Sequence, residues 1–360
     1  MKALQIHAGP TARQHMAQHG LLPQHISVVP AAAGGPKGLI LGPMDRYLFG
    51  QWLSRSNQPI DLVGASIGAW RMATACLANP VSELQALEDA YIHQHYELEP
   101  GQSRPTARQV SEDFRQNLTG FYSGRIHQVL QHPRYRLHLV TSHGRGILSR
   151  DNAWRTPLGY TGAYLTNAVH RRAMGLWLER LVFSSPFMGS PQPMPFATID
   201  YRTRHCALSE ANFLDAVQAS CSIPFVLQAV HDIAGAPEGA YWDGGITDYH
   251  LHLDYRAAKG LTLYPHFQKA VVPGWFDKAL TWRHGSTPFL DSTIVLAPNP
   301  DWVKTLPNGK LPDRSDFVTY GQDLAARVAV WHRAVNEAGR LADELAQWLL
   351  RPDFSLVKSL

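Results

Sequence analysis

The stretch IDLVGASIGAW, residues 60–70, constrains this chain more than any other. An apolar run ends at Gly64-Ala65-Ser66-Ile67-Gly68, so a hydroxyl sits at a cramped corner between small residues. IDLVGAS (60–66) reads as a strand, and a helix follows from Ile67 to about Ala78, ending before Asn79-Pro80. Upstream, HISVVPAA (25–32) reads as a buried strand, followed by glycines and a helix around MDRYLFGQWL (44–53). About two strands therefore precede Ser66. Alternation of strand, glycine loop and helix predicts an α/β fold with a parallel sheet covered by helices. RYRLHLVTS (134–142) and STIVLAP (292–298) are further strand candidates.

At 360 residues, with 45% hydrophobic and 17% charged residues, the chain has an ordinary globular composition and a sizeable core. A net charge of +4, with no basic stripe interleaved with aromatics, gives no argument for nucleic acid. Cys76, Cys206 and Cys221 are scattered and odd in number, which suggests a reducing compartment. The first twenty residues contain no apolar signal region, and no apolar run reaches the length of a membrane span. A cytoplasmic protein is the expectation.

A serine hydroxyl is a poor nucleophile until geometry and a base assist it. In a G-x-S-x-G elbow the serine occupies a sharp strand-to-helix turn that projects its oxygen from the sheet edge. Gly64 and Gly68 are required where a β-carbon would collide across that turn. An N-capping serine at a glycine-rich helix start is the plainer reading of the same residues. AAAGGPKGLILG (31–42) supplies candidate oxyanion donors at another strand-to-helix junction: the backbone N–H groups of Gly34, Gly35, Lys37 and Gly38. Pro36 can shape that loop but has no N–H to give. A phosphate-binding loop is disfavoured because the G-x-x-x-x-G-K-[ST] spacing is absent. YWDGGITD (241–248) places Asp243, a candidate base, before two glycines that let its loop approach another closely; a simple turn explains D-G-G equally well on its own.

Taken together, Ala33-Gly34-Gly35-Pro36-Lys37-Gly38, Gly64 to Gly68, and Asp243-Gly244-Gly245 resemble the three ordered signatures of the patatin-like phospholipase family. AVQASCSIPFVLQAV (216–230) is similar to the segment that precedes the aspartate box there, and the likeness spans roughly residues 25–250. The resemblance implies a three-layer α/β/α fold with a mostly parallel central sheet. It also implies a lipid acyl hydrolase with a Ser66–Asp243 dyad, no histidine and no cofactor. Ala33 in the first glycine position and DYHLHLDY (248–255) depart from the family pattern.

The organisation expected is a catalytic domain over 1–318, with a helix at 319–351 docked on it. That helix carries a stripe of Leu324, Val328, Trp331, Val335, Ala338, Ala342, Leu345 and Leu349, stopped by Pro352. Residues 97–133 read as a polar, helix-prone surface insertion, and 150–197 as a second insertion. In the latter, Leu165, Val169, Ala173, Leu176 and Arg180 fall along one helical face beside His170, Arg171 and Arg172. Phe183, Phe187, Met188 and Phe196 follow in a proline-broken loop. The segment is either a helix packed on the sheet or an interfacial anchor through which 165–196 touches a membrane.

Three readings compete. A Ser–His–Asp α/β-hydrolase would draw its base from His250, His252, His266 or His284. HLHLD (250–254) has the alternation of a metal box, yet a partly exposed strand with polar alternation explains it, and HQH (93–95) is weaker still; no metal is assigned. A non-catalytic lipid-surface module would retain the fold and leave Ser66 idle.

Overall fold

The computed structural model describes residues 1–98, 101–102, 104–187, 189–190 and 193–360. Among the described residues eleven strands form one sheet: β1 (Leu4–Ala8), β2 (Ile26–Ala31), β3 (Ile60–Ala65), β4 (Tyr135–Gly144), β5 (Leu178–Ser184), β6 (Thr203–Ala207), β7 (Val230–His231), β8 (Ala240–Asp243), β9 (Leu261–Pro265), β10 (Thr293–Pro298) and β11 (Lys358–Ser359). The order is β11-β1-β10-β9-β2-β3-β4-β5-β6, with β8 on β4 and β7 on β8. Strands β10, β9, β2, β3 and β4 run parallel, while β1, β5 and β8 pair antiparallel with their neighbours β10, β4 and β4. Helices flank the sheet, so the chain is an α/β protein with a large, mostly parallel central sheet. Among the described residues no helix is long and apolar enough to cross a membrane.

The central strands are the apolar runs of the sequence. Every residue of β3, β9 and β10 is buried, as expected for parallel strands covered on both faces. One cluster of buried apolar side chains runs from Ala3 to Leu345. Three strands, not two, lead up to Ser66, because β1 is laid antiparallel on β10 at the far side of the sheet. Its five residues, LQIHA, are too short to announce themselves by periodicity. The helix anticipated around 44–53 starts earlier, as a 3-10 turn over Gly35–Leu41 that leads into an α-helix over Gly42–Tyr47.

The two segments read as insertions contain the following elements. Within 97–133 the helix Ala107–Tyr122 packs one face inward, burying Val110, Phe114, Leu118 and Tyr122. Their strict four-residue spacing gives a narrow apolar stripe on an otherwise polar helix, and polar composition hid it. In 150–197 the helix ends at Val169, a 3-10 turn covers Arg171–Leu176, and β5 begins at Leu178. The stripe through Leu165, Val169 and Leu176 faces solvent, with Val169 85% exposed. The opposite face is buried, because Gly159 and Gly162 bring the backbone against Leu148 and Trp177. Phe183 and Phe196 are core residues, Phe187 is half-buried, and Met188 lies outside the described residues. The C-terminal helix, Leu324–Leu350, docks as its stripe requires, burying Trp331, Val335, Ala338, Ala342 and Leu345.

Arg180, expected on a helix, sits on β5 with no exposed surface. Its guanidinium donates to both carboxylate oxygens of Asp248, at 2.8 and 2.6 Å, and to both of Asp200, at 3.1 and 2.9 Å. Arg171 bridges Asp248 to Asp277, which Arg283 also holds at 2.8 Å. Removing the central cation would strand two carboxylates in the interior. Arg180→Ala is therefore expected to lose about 3–5 kcal/mol of stability, read from urea unfolding. A loss below about 1 kcal/mol, the level of an exposed pair, would contradict a structural role for this cluster.

Candidate active site

Strand β4 positions both site residues. Its first half pairs with β3, so Ala65 lies opposite Val140. Its next residues pair on the same edge with β8, so Asp243 lies opposite Thr141. One strand arrives parallel to β4 and the other antiparallel, and they meet end to end. A one-residue step along β4 is about 3.3 Å, so the residues leaving each strand must be neighbours. Gly244 makes the junction possible, since a Cβ there would lie 2.0 Å from the Val140 carbonyl oxygen.

Ser66 turns the chain out of β3 with φ 57° and ψ −129°, a strained conformation for a residue with a side chain. The turn is tight because the helix Ile67–Ala75 packs directly on the strands: a Cβ on Gly68 would stand 1.9 Å from the Ala31 carbonyl oxygen. Ser66 does not cap that helix with its side chain. Instead its N–H donates to Ser220 Oγ at 2.9 Å, and Ser220 in turn donates to the Val140 carbonyl at 2.7 Å. Arg71, on the same helix and buried, donates twice to Asp45 at 2.7 and 2.9 Å, tying the elbow helix to the one that follows the glycine loop.

The Ser66 hydroxyl donates to Asp243 Oδ2 at 2.6 Å, across 177 positions of sequence. Both residues are nearly closed off, Ser66 at 4% and Asp243 at 5% exposure. The other carboxylate oxygen, Oδ1, accepts the Gly245 N–H at 2.7 Å. The Asp243 N–H donates to the Ser222 carbonyl and the Gly244 N–H to that of Ser220, so the end of the helix Phe213–Cys221 clamps the aspartate loop. Burial pushes the Asp243 carboxyl above the usual carboxylate range; the bonds from Ser66 and Gly245 and the cations Arg314 and Lys278 oppose that shift without cancelling it.

Gly35 lines the same cavity as Ser66, while Ala33, Gly34 and Lys37 line a smaller one beside Asp243. Gly34 precedes and Gly35 opens the 3-10 turn, where first-turn N–H groups lack intrahelical acceptors. Gly38 lies apart from Gly34, Gly35 and Lys37, packed against Ile67 behind the elbow. Ala33, in the first position of the loop, is buried and donates its N–H to the Tyr249 carbonyl at 3.0 Å. The larger cavity, about 500 Å³, is walled by Trp70, Val110, Phe114 and Leu227.

None of the four candidate histidines bonds to Ser66 or Asp243. His252 contacts the Val271 carbonyl and Thr287, and His284 the Asp277 carbonyl, each at 2.8 Å. Val272 donates its N–H to His250, and His266 contacts the Gln268 carbonyl. HLHLD is not a partly exposed strand: it is buried irregular backbone, and its Asp254 pairs with Arg256 at 2.7 Å. Its alternation serves packing on two sides rather than solvent. Among the described residues no group of three or more His, Cys, Asp or Glu gathers to hold a metal ion.

Four residues of the site escaped sequence reasoning: Ser220, Ser222, Lys278 and Arg314. The serines sit in AVQASCSIPF, where small residues near a helix end were the available signal. Lys278 and Arg314 follow the last motif and carry no local signature. The chain matches no family model and no curated protein.

A carboxyl that binds its proton more readily folded than unfolded opposes folding at neutral pH. That opposition vanishes once pH falls below its unfolded value. Asp243→Asn is therefore expected to melt no lower than the parent at neutral pH, with any advantage shrinking on acidification. Thermal melts across that range check it; an Asn variant that gained stability on acidification relative to the parent would contradict the sign.

Proposed function

We propose that the protein is a serine acyl-ester hydrolase of the patatin-like kind, with Ser66 as nucleophile and Asp243 as its base. The 2.6 Å hydrogen bond from the Ser66 hydroxyl to the Asp243 carboxylate carries this reading. As Ser66 Oγ attacks an ester carbonyl, its proton passes to Oδ2 of Asp243, while Gly245 holds Oδ1 in place. Negative charge moves to the carbonyl oxygen, for which the N–H groups of Gly34, Gly35 and Lys37, in the walls of the cavities at Ser66 and Asp243, are candidate donors. Collapse of the adduct expels the alcohol, which takes the proton back from Asp243. Water then repeats the sequence on the acyl-serine, with Asp243 again as base. A carboxylate is a weak base for a hydroxyl, and burial strengthens it by raising its proton affinity.

The apolar cavity at Ser66 suits the acyl chain of a lipid-like ester. Membrane contact belongs to the same proposal, through the exposed face of the helix Arg155–Val169. Trp154, Leu158, Leu165 and Val169 are exposed there, and the ring of Tyr160 in this helix packs on exposed Phe225 beside the cavity-lining Val226.

Ser66→Ala and Asp243→Asn should each lower kcat for a short-chain p-nitrophenyl ester by about 10²–10⁴-fold. Labelling by a fluorophosphonate should disappear in the serine variant. The acid limb of kcat/KM should lie above the ordinary carboxylate range, rising with pH as Asp243 ionises. Undiminished hydrolysis in both variants would defeat the proposal.

A further inference from the structure

Three arginines are buried among the described residues: Arg71, Arg180 and Arg327. Arg71 is held by Asp45, and Arg180 by Asp200 and Asp248. Arg327 is 4% exposed, yet among the described residues no carboxylate pairs with it. Asp316, whose charge reaches it, is taken up by the Trp331 indole N–H at 2.9 Å and by Lys310 at 2.7 Å. Nη2 of Arg327 donates to the Gln94 carbonyl, while Nε is buried without a partner. Burial pulls the guanidinium below its ordinary value, but such a group stays charged at any working pH. A buried charge ordinarily has a counter-ion, and an orphaned buried donor calls for an explanation.

Aromatic packing does not supply one. The Phe317 and Trp331 rings lie 4.4 and 4.9 Å from the guanidinium carbon and hold it in place. They accept no hydrogen bond in the plane of its nitrogens, so that edge stays open. Arg327 lines the same cavity as Ser66, whose wall also includes Trp70, Val110, Phe114 and Leu227. Arg104 and Arg314 line it too, but both are exposed and open to hydration. Tyr91 spans the distance between the glycine loop and Arg327. Its hydroxyl lies 3.6 Å from the point a Gly35 Cβ would occupy, and its ring stacks on Trp331. Arg327 is thus set back from the loop by the length of a tyrosine.

We propose that Arg327 determines specificity by receiving a carboxylate at the far end of the acyl group, so that the preferred substrate is a half-ester of a dicarboxylic acid. This rests on the hydrolase reading of Ser66 and Asp243. Ser66 lines the larger cavity and Asp243 the smaller, and Asp243 returns the proton to the departing alcohol. The larger cavity therefore takes the acyl half. A plain hydrocarbon tail there leaves the guanidinium desolvated and unpaired. A terminal carboxylate accepts from its open edge and forms the ion pair that the fold does not provide.

Mono-p-nitrophenyl adipate, suberate and sebacate test it, each against the p-nitrophenyl ester of the plain fatty acid of equal length, through the ratio of kcat/KM values. At neutral pH the charged ester of at least one length should exceed its plain counterpart by about tenfold or more. Arg327→Gln should remove that preference, and Arg327→Lys should keep part of it. A variant weakened only in packing loses both esters alike, so a ratio unmoved by Arg327→Gln overturns the assignment. A parent that prefers the plain ester at every length overturns it as well and leaves the hydrolase standing. In Ser66→Ala, the monomethyl esters of the same diacids should bind more tightly than the methyl esters of the matching fatty acids, by calorimetry. Arg327→Gln in that background should erase the difference. Such binding with no ester hydrolysed by the parent would sink the hydrolase reading and keep the carboxylate site. Equal affinities at every length would overturn the site.

Discussion

The end-to-end meeting of β3 and β8 on one edge of β4 is the constraint on which the site depends. Parallel and antiparallel neighbours place hydrogen-bonding groups differently, so two strands can share an edge only if each ends where the other begins. Here the seam falls between Val140 and Thr141. The two chain segments released at that seam have no ladder left to join and must turn outward at once. One turns through Ser66 and the other through Gly244. The contact between serine and aspartate follows from sheet register, with the side chains completing it.

Burial at the seam has costs that the surrounding packing offsets. Ser66 holds a backbone conformation disfavoured for a side chain, of order 1–3 kcal/mol. Asp243 keeps a carboxylate where solvent barely reaches. Against these stand the Arg71–Asp45 pair under the elbow helix and the Arg180 cluster under the aspartate loop. Asp248, five residues beyond Asp243, is bonded to Arg180, and Asp277, beside Lys278, is bonded to Arg171 and Arg283. One buried ionic cluster therefore braces both the aspartate loop and the turn that carries Lys278. A buried pair adds little net stability, but it fixes geometry because its partners cannot separate without exposing a bare charge.

Much of the central sheet was legible because parallel strands read as unbroken apolar runs, as in Ile60–Ala65 and Thr293–Pro298. The motifs were legible because glycines at close approaches leave a spacing behind, as at Gly64 and Gly68. What misled were segments whose burial comes from partners far off in sequence. Arg180 looked helical and polar, yet it is a strand residue neutralised by Asp200 and Asp248. Leu165 and Val169 read as either a core stripe or an exposed anchor, and Gly159 and Gly162 turned the other face inward. The helix Ala107–Tyr122 looked like surface, yet four residues at a fixed spacing bury one face of it, and two of them, Val110 and Phe114, wall the apolar cavity.

By itself the sequence determined the alternation of strand, glycine turn and helix, and with it the α/β class and the two corners where a side chain could emerge. These are local properties, set by β-carbon sterics and apolar periodicity within about ten residues. Only the tertiary structure decided that the corners face each other, that no imidazole stands between them, and that Lys278 and Arg314 arrive at their rim. Sheet order and loop closure bring such groups together, and neither leaves a mark on the residues around each one.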